Sequence, residues 1–372
     1  MSWAIWITGL PGSGKSAIAR AAVAELAARG ERVEHLELDV LRRTLTPVPT
    51  YDAAERDAVY RALVLLARTL TRAGQPVLID ATGHRRGWRD LARACIGDFA
   101  EVQLVCPLEV ARERERVREP GHHPRAIYAR AGRPGAAVPG VDVAYEPALA
   151  PELTIDTTQE SVESAGARVA ALARSFGRND AVGWASGASG WALWISGRPG
   201  SGKTTLTSAV CERLSGMGTP ATVVDAGVFA DFIGPGGPLT DAQRDIAMRA
   251  VVEVARRLHD LGMAVIIDGT TRLGDGGRLA RELIDVFAQV ELVCPPEICR
   301  MRERAVRWQL VACPSSARPT AGPDLGLGYE STTCPDLMVF TDVVDERVAA
   351  AEILYVVERL ERSARHRRRP CA

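Results

Sequence analysis

The chain has 372 residues, 47% hydrophobic and 25% charged, with 46 basic and 46 acidic side chains and a formal net charge of zero. That length suits two ordinary domains, and the composition is that of a globular protein rather than a disordered or fibrous one. Neutrality argues against a nucleic-acid partner or a membrane-surface role, and no apolar run reaches the length of a membrane span. The first apolar run starts at Trp3, where a signal peptide would have to lie. The eight cysteines contain no C-x-x-C pair. Both features predict reduced thiols and a cytoplasmic location.

In chain order, residues 3–7 read as a buried strand. Gly9-Leu10-Pro11-Gly12-Ser13-Gly14-Lys15-Ser16 follows, matching the phosphate-binding pattern G-x-x-x-x-G-K-[ST]. Next comes a helix over 17–29, with Ile18, Ala22, Val23 and Leu26 on one face and Gly30 as its stop. Such a loop curls backbone N–H groups around phosphates at a positive helix end. Lys15 then reaches the outer phosphates, and Ser16 is placed to ligate Mg²⁺. Residues 33–38 predict a second strand ending at Asp39. Asp52 and Glu55 suggest a capping box for a helix with Val59, Leu63, Leu66 and Leu70 on one face, stopped by Gly74. A strand at 76–80, a helix at 88–95, a strand at 102–106 and a charged helix at 108–118 follow. The Gly/Pro/Arg/His-rich stretch 120–140 reads as a mobile loop, before a strand at 152–155 and a helix at 160–174. This alternation predicts an α/β fold, a parallel sheet with helices on both faces. Its ligands bind at the carboxyl ends of the strands, where the loop, Asp39 and Asp80 fall.

The pattern then repeats. The second loop starts at Gly197 and carries Gly200, Ser201, Gly202, Lys203 and Thr204, an offset of 188 residues from Gly9. The same offset relates Asp80 to Asp268, Cys106 to Cys294 and Arg114 to Arg302. Two tandem phosphate-loop kinase domains are expected, at 1–175 and 191–363, joined by a Gly/Ser/Ala-rich linker at 176–190 and followed by a basic tail at 364–372. Cys106 and Cys294 read as small buried side chains closing equivalent strands. His122 and His123 lack partner ligands at useful spacing, so the loop reading is kept for them.

Four stretches beyond the loop are similar to adenylylsulfate kinases. Asp39-Val40-Leu41-Arg42 resembles D-N-V-R, and the run from Tyr51 to Arg56 resembles F-S-x-x-D-R. Ile127-Tyr128-Ala129-Arg130-Ala131-Gly132 resembles the family's lid, and Gly140-Val141-Asp142-Val143-Ala144-Tyr145-Glu146 resembles G-I-D-x-x-Y-E. The resemblance implies a kinase moving the γ-phosphate of ATP, with Mg²⁺, to the 3′-hydroxyl of adenosine 5′-phosphosulfate. It also implies that Arg114 lies beside the nucleotide base. The family's F-I-S-P is Ala81-Thr82-Gly83-His84 here, and its lid phenylalanine is replaced near Val138. In the second copy Gly227 and Ala230 stand where Asp39 and Arg42 stand in the first. Tyr329-Glu330 survive, with Gly326 in place of the motif's aspartate.

The candidate catalytic residues are therefore Lys15, Asp39 and Asp80. Asp39 is the candidate base for the acceptor hydroxyl, with a helix N-cap as its plain structural alternative. Asp80 is a water-mediated Mg²⁺ ligand or a turn cap. Ser16 and Thr204 are the metal ligands. Arg42, Tyr51 and Arg56 form the acceptor side, because guanidinium forks suit phosphate and sulfate. The partners expected are ATP and a small anionic, hydroxyl-bearing acceptor. A kinase for another small molecule or a polynucleotide 5′-hydroxyl, and a non-catalytic nucleotide-binding regulator, stay open as alternatives. A homodimer and an intramolecular pairing of the two domains are equally open.

Overall fold

Strand β1 (Trp3–Thr8) is buried at every position, which its run of apolar residues requires of a strand covered on both faces. It is the centre of a sheet in the computed structural model, which describes residues 2–117, 127–133, 136–177, 190–269, 276–312 and 334–366. The chain divides into two units, Met1–Val182 and Gly183–Ala372.

In the first unit, β1 is joined by β2 (Glu34–Glu37), β3 (Val77–Asp80), β4 (Asp98–Val105) and β5 (Leu153–Asp156) in the order β2-β3-β1-β4-β5. All pairings are parallel, so the strands end along one edge; the register sets Ile7 and Glu37 beside Asp80. Helices α1 (Lys15–Ala27) and α6 (Val162–Ser175) cover one face. There Ile18, Ala22 and Leu26 join Val169, Ala173 and the strand residues Ile5, Ile7 and Leu78 in one core. Helix α3 (Ala53–Arg72), apolar along Val59, Leu63, Leu66 and Leu70, packs with α4 (Arg86–Cys95).

Several local expectations change. The second strand stops at Glu37 and the chain turns directly into a helix, α2 (Leu38–Leu45), which the sequence pattern did not reveal. Its two turns bury Leu38, Leu41, Arg42 and Leu45, too short a run to show helical periodicity. Asp39 is thus the second residue of this helix and not its N-cap, which is Glu37. Asp52 does cap α3, accepting from the N–H groups of Ala54 and Glu55, but the reciprocal half of the capping box is absent. The Glu55 carboxylate turns instead to Arg42 and to the N–H groups of Thr50 and Tyr51. Strand β4 starts at Asp98, earlier than expected, and Cys106 lies just past its end, half-buried. In α5 (Leu108–Arg116), Glu113 and Arg116 pair on the solvated face, whereas Glu115 is buried and accepts from Ile127 N–H.

The second unit repeats the topology with β6 (Trp191–Gly197), β7 (Thr222–Asp225), β8 (Ala264–Asp268), β9 (Phe287–Val293) and β10 (Leu337–Phe340) in the order β7-β8-β6-β9-β10. Its helices are α7 (Lys203–Gly216), α8 (Ala226–Ile233), α9 (Asp241–Asp260), α10 (Gly277–Leu283), α11 (Pro296–Ala312) and α12 (Glu346–His366). The ranges of β7, α8 and α9 lie 188 residues after those of β2, α2 and α3. Arg365 and His366, expected in a frayed tail, form the last turn of α12, where Arg365 pairs with Glu361 one turn earlier. His122, His123, Gly326, Tyr329 and Glu330 lie outside the described residues.

Candidate functional site

At the carboxyl edge of the first sheet, a cleft of about 420 Å³ opens between the phosphate loop, α2, α3 and the segment 136–139. Lys15, Ser16, Asp39, Arg42, Tyr51, Arg56 and Asp80 all line it. These candidates come from four separate stretches of sequence, and the parallel register gathers them.

The loop has the form a phosphate needs. Gly12 adopts φ 78°, and a Cβ there would meet the Ala111 carbonyl oxygen at 2.1 Å, so only glycine lets the loop seat on α5. Gly14 caps α1 with φ 100° and no side-chain bond to the helix, and the first turn carries no acidic residue. The helix end thus offers its N–H groups and its positive dipole end to an anion. Lys15 Nζ donates to the carbonyls of Gly9 (3.2 Å) and Leu10 (3.0 Å), which holds the ammonium over the loop.

The acceptor side is rich in guanidinium groups. Arg42 is buried, its Nη1 donating to Glu55 Oε1 at 2.9 Å and its fork 5.0 Å from the centre of the Tyr51 ring. Tyr51 itself has φ 59°, a conformation rarely taken by a bulky residue and typical of strained functional positions. Arg56 donates to the Ala137 carbonyl at 2.8 Å, tying α3 to the opposite wall. Burial holds its pKa below the usual guanidinium value. Arg130 and Arg133 also line the cleft, as do Ala81, His84 and Val138. Burial, followed by the charges of Arg56 and Arg85, pushes the His84 pKa down to about 4, so this imidazole is neutral at pH 7. Tyr60 lines the wall beside it, with its hydroxyl accepting from Gly83 N–H and its ring stacked 4.0 Å from Trp88. Sequence reading passed over Tyr60, His84, Arg130 and Arg133. Their only signal was membership of α3, of the stretch after β3 and of the lid motif, which Arg133 directly follows.

Other motif residues hold the frame. Tyr145 bonds Thr8 and Gln103 at the edge of the sheet, and Glu146 accepts from Arg86 N–H. Asp142 accepts from the N–H groups of Gly132 and Val138, which keeps its pKa below the usual carboxylate range. Tyr128 donates to the Pro11 carbonyl at 2.8 Å, fastening the lid segment to the loop. Arg114 does not line the cleft: it donates to Thr157 Oγ1 (3.0 Å) and the Thr157 carbonyl (2.8 Å), joining α5 to the end of β5. Arg302 makes the same bonds to Thr341 in the second unit.

The adenylylsulphate kinase family model matches residues 1–156 and again 189–309. The chain belongs to the adenylylsulfate kinase family. It is 37% identical over 158 residues to a probable adenylyl-sulfate kinase of Archaeoglobus fulgidus, covering 42% of this chain and 97% of that one. It is 35% identical over 167 residues to the adenylyl-sulfate kinase of Microcystis aeruginosa, covering 44% and 87%. A solved complex of the Mycobacterium tuberculosis adenylylsulfate kinase with AMPPNP and APS is 29% identical over 46% of this chain and 96% of that one, with a TM-score of 0.40.

Membership makes this an ATP- and Mg²⁺-dependent phosphotransferase with an alcohol acceptor. The residues fit a cation. Asp80 is 3% exposed, and its Oδ2 has no hydrogen-bond partner, a costly arrangement for a buried carboxylate unless a ligand completes it. In the second unit the equivalent Asp268 accepts from Thr204 Oγ1 at 2.8 Å, so hydroxyl and carboxylate lie within reach of one ion. Burial raises the Asp268 pKa, against the hydrogen bond from Thr204 and the charge of Lys203. Lys203 donates to the carbonyls of Gly197 and Arg198, both at 3.0 Å, and burial lowers its pKa. Gly200 and Gly202 keep φ values of 77° and 95°, as Gly12 and Gly14 do, and Ser201 is fully buried within the loop. No described helix is long and apolar enough to cross a membrane.

Proposed function

We propose that the first unit transfers the γ-phosphate of ATP to the 3′-hydroxyl of adenosine 5′-phosphosulfate. The observation that carries this reading is a single cleft lined together by the phosphate-loop residues Lys15 and Ser16, by Asp39, and by Arg42 and Arg56. Phosphoryl transfer needs positioning and charge stabilisation more than covalent chemistry. Lys15 and the loop amides hold the transferring phosphoryl and offset its charge. Asp39 accepts the proton of the acceptor hydroxyl. Arg56, and Arg42 oriented by Glu55, grip the acceptor's anionic end. Ser16 and Asp80 would hold Mg²⁺, which when bound neutralises charge on the outer phosphates. Arg114 acts through Thr157, fixing the wall behind the nucleotide. The domains are taken as 1–175 and 191–363, linked by 176–190. The second is a nucleotide-binding unit with a regulatory role, its loop serving ATP through Lys203 and Thr204.

A second reading, a kinase for another small anionic alcohol, is favoured by Ala81 and Val138. They line the cleft where the family pattern carries phenylalanines, one of which sandwiches adenine. The test is the full chain with γ-labelled ATP and Mg²⁺, offered adenosine 5′-phosphosulfate, nucleosides, small sugar alcohols and 5′-hydroxyl oligonucleotides in parallel. Label appearing on the phosphosulfate, at its 3′ position, is the expected result. Label on another acceptor alone overturns the substrate in favour of the second reading.

A further inference from the structure

The stretch after β3 lines the cleft with Ala81, Thr82 and His84. Each carbonyl of residues 81–84 accepts a hydrogen bond from a different part of the chain. The Trp6 indole donates to Ala81 at 2.9 Å and the Thr8 hydroxyl to Thr82 at 2.6 Å. Arg89 Nη1 donates to Gly83, and the Glu146 N–H to His84 at 2.9 Å. Arg89 also holds that last donor in place, because its Nη2 donates to the Glu146 carbonyl. Its Nε donates to Glu101 Oε1, so all three nitrogens of one guanidinium are bound within the protein. Arg89 is fully buried, and Glu101 is 4% exposed. We infer that Arg89, oriented by Glu101, is a positioning residue for phosphoryl transfer, fixing the shelf 81–84 so that Thr82 and His84 meet the acceptor in one defined place. The inference rests on the reading of this cleft as the transfer site.

A buried ion pair could serve the fold alone, at a desolvation cost that often cancels its attraction. The second unit shows that this sheet order does not require it. Gly277 and Gln289 stand there at the positions of Arg89 and Glu101, and Gly276 at that of Trp88. A Cβ on Gly277 would lie 1.9 Å from Gln289 Oε1, and one on Gly276 2.2 Å from the Trp194 ring, so that packing has no room for the arginine. Arginine and glutamate are thus replaced together where the sheet remains. What the pair adds in the first unit is a rigid planar fork that sets two carbonyls from separate segments at a fixed spacing. Arg89 does not itself line the cleft, so it acts through the shelf. A displacement of about 1 Å at a positioned group costs on the order of 10²-fold in rate, so such a brace bears directly on transfer.

The test uses the full chain. Arg89→Lys keeps a cation beside Glu101 but has no fork to bridge Gly83 and Glu146. We expect kcat/KM for adenosine 5′-phosphosulfate to fall about 10–10²-fold, with nucleotide affinity in equilibrium binding within about twofold of the parent. A second measurement is the proton NMR titration of His84, its signal assigned with His84→Gln. Burial, then the charges of Arg56 and Arg85, hold this pKa down at about 4, against Glu146 and with a last contribution from Arg89. Lysine retains the charge at position 89, so a loosened shelf is read as a rise toward about 6.5 through lost burial. That measurement needs no acceptor, and it decides the inference even where adenosine 5′-phosphosulfate is not the substrate. Arg89→Met combined with Glu101→Gln removes both charges and orphans neither. It should give the same pattern, and it replaces Arg89→Lys as the deciding variant if thermal melting shows that the lysine chain does not fold. Parental kcat/KM in the folded variant overturns the inference. So does an unmoved His84 titration, or a nucleotide affinity that falls in step with kcat/KM, which would mark a general loosening of the domain.

Discussion

The two units share a sheet order, a loop and the boundaries of the second strand and the two helices after it, and their cleft chemistry differs at one corner, where that second strand meets the helix after it. In the first, Glu37-Leu38-Asp39 brings a carboxylate into the cleft at the second position of α2, and Arg42 follows one turn later. In the second, Asp225 is drawn back to cap α8, with Gly227 and Ala230 in the positions of Asp39 and Arg42. Asp225 bonds two backbone N–H groups there, which ties it to the helix end and away from a role as base. Both loops keep lysine and a hydroxyl. Donor binding and acceptor chemistry are therefore proposed to be separable in this fold, with the residue types for the first kept in both units and those for the second in one.

Four experiments break or sharpen that contrast. The largest effect is expected from Asp39→Asn, with turnover falling about 10²–10⁴-fold as the positioned base is lost. The converse change, Gly227→Asp, should give no measurable gain, because Arg42 has no counterpart at Ala230. A gain would show that one carboxylate is all the second unit lacks. Lys15→Ala should cost on the order of 10²-fold or more in turnover, since a preorganised charge is removed. Lys203→Ala should remove one of two nucleotide sites and lower turnover by only a few-fold, as counted by equilibrium binding and steady-state rates. The opposite result would exchange the roles assigned to the units.

Arg42→Met addresses stability as well as rate. Arg42 and Glu55 are 9% and 7% exposed, and the change leaves a carboxylate buried without its guanidinium. Glu55 keeps the N–H groups of Thr50 and Tyr51, so the loss should lie near the low end for a broken buried pair, about 3 kcal/mol by chemical denaturation. The smallest effect concerns pH. The His84 pKa is depressed in the folded state to about 4, so its contribution is fully present above the unfolded value near 6.5 and is lost as pH falls toward 4. His84→Gln should flatten part of the stability loss in that window. An unchanged profile would mean that neighbouring carboxylates account for all of it.

The phosphate loop, the strand before it, the helix after it and the 188-residue repeat were legible because each rests on local pattern: glycines at fixed spacing, an apolar run, a helical stripe. Asp80 was legible as a strand end, and Arg42 and Arg56 through the family motif. Helix α2 was not, because two turns show too little periodicity, and so the structural alternative for Asp39 was a cap, whereas it is the second residue of a helix. The partnership of Arg42 with Glu55 was hidden for another reason. The capping-box spacing assigned Glu55 to its own helix end, and only the packing of α2 beside α3 offered it a stronger, cationic partner. Tyr60, His84, Arg130 and Arg133 reach the same cleft from segments far apart in sequence, and no local pattern marks a convergence made by parallel register. Sequence by itself thus determined the fold class, the donor loop and its duplication, since these follow from residue type and spacing. Tertiary structure decided which carboxylate faces the cleft and which caps a helix, because that choice depends on the backbone donors within reach once the strands are aligned.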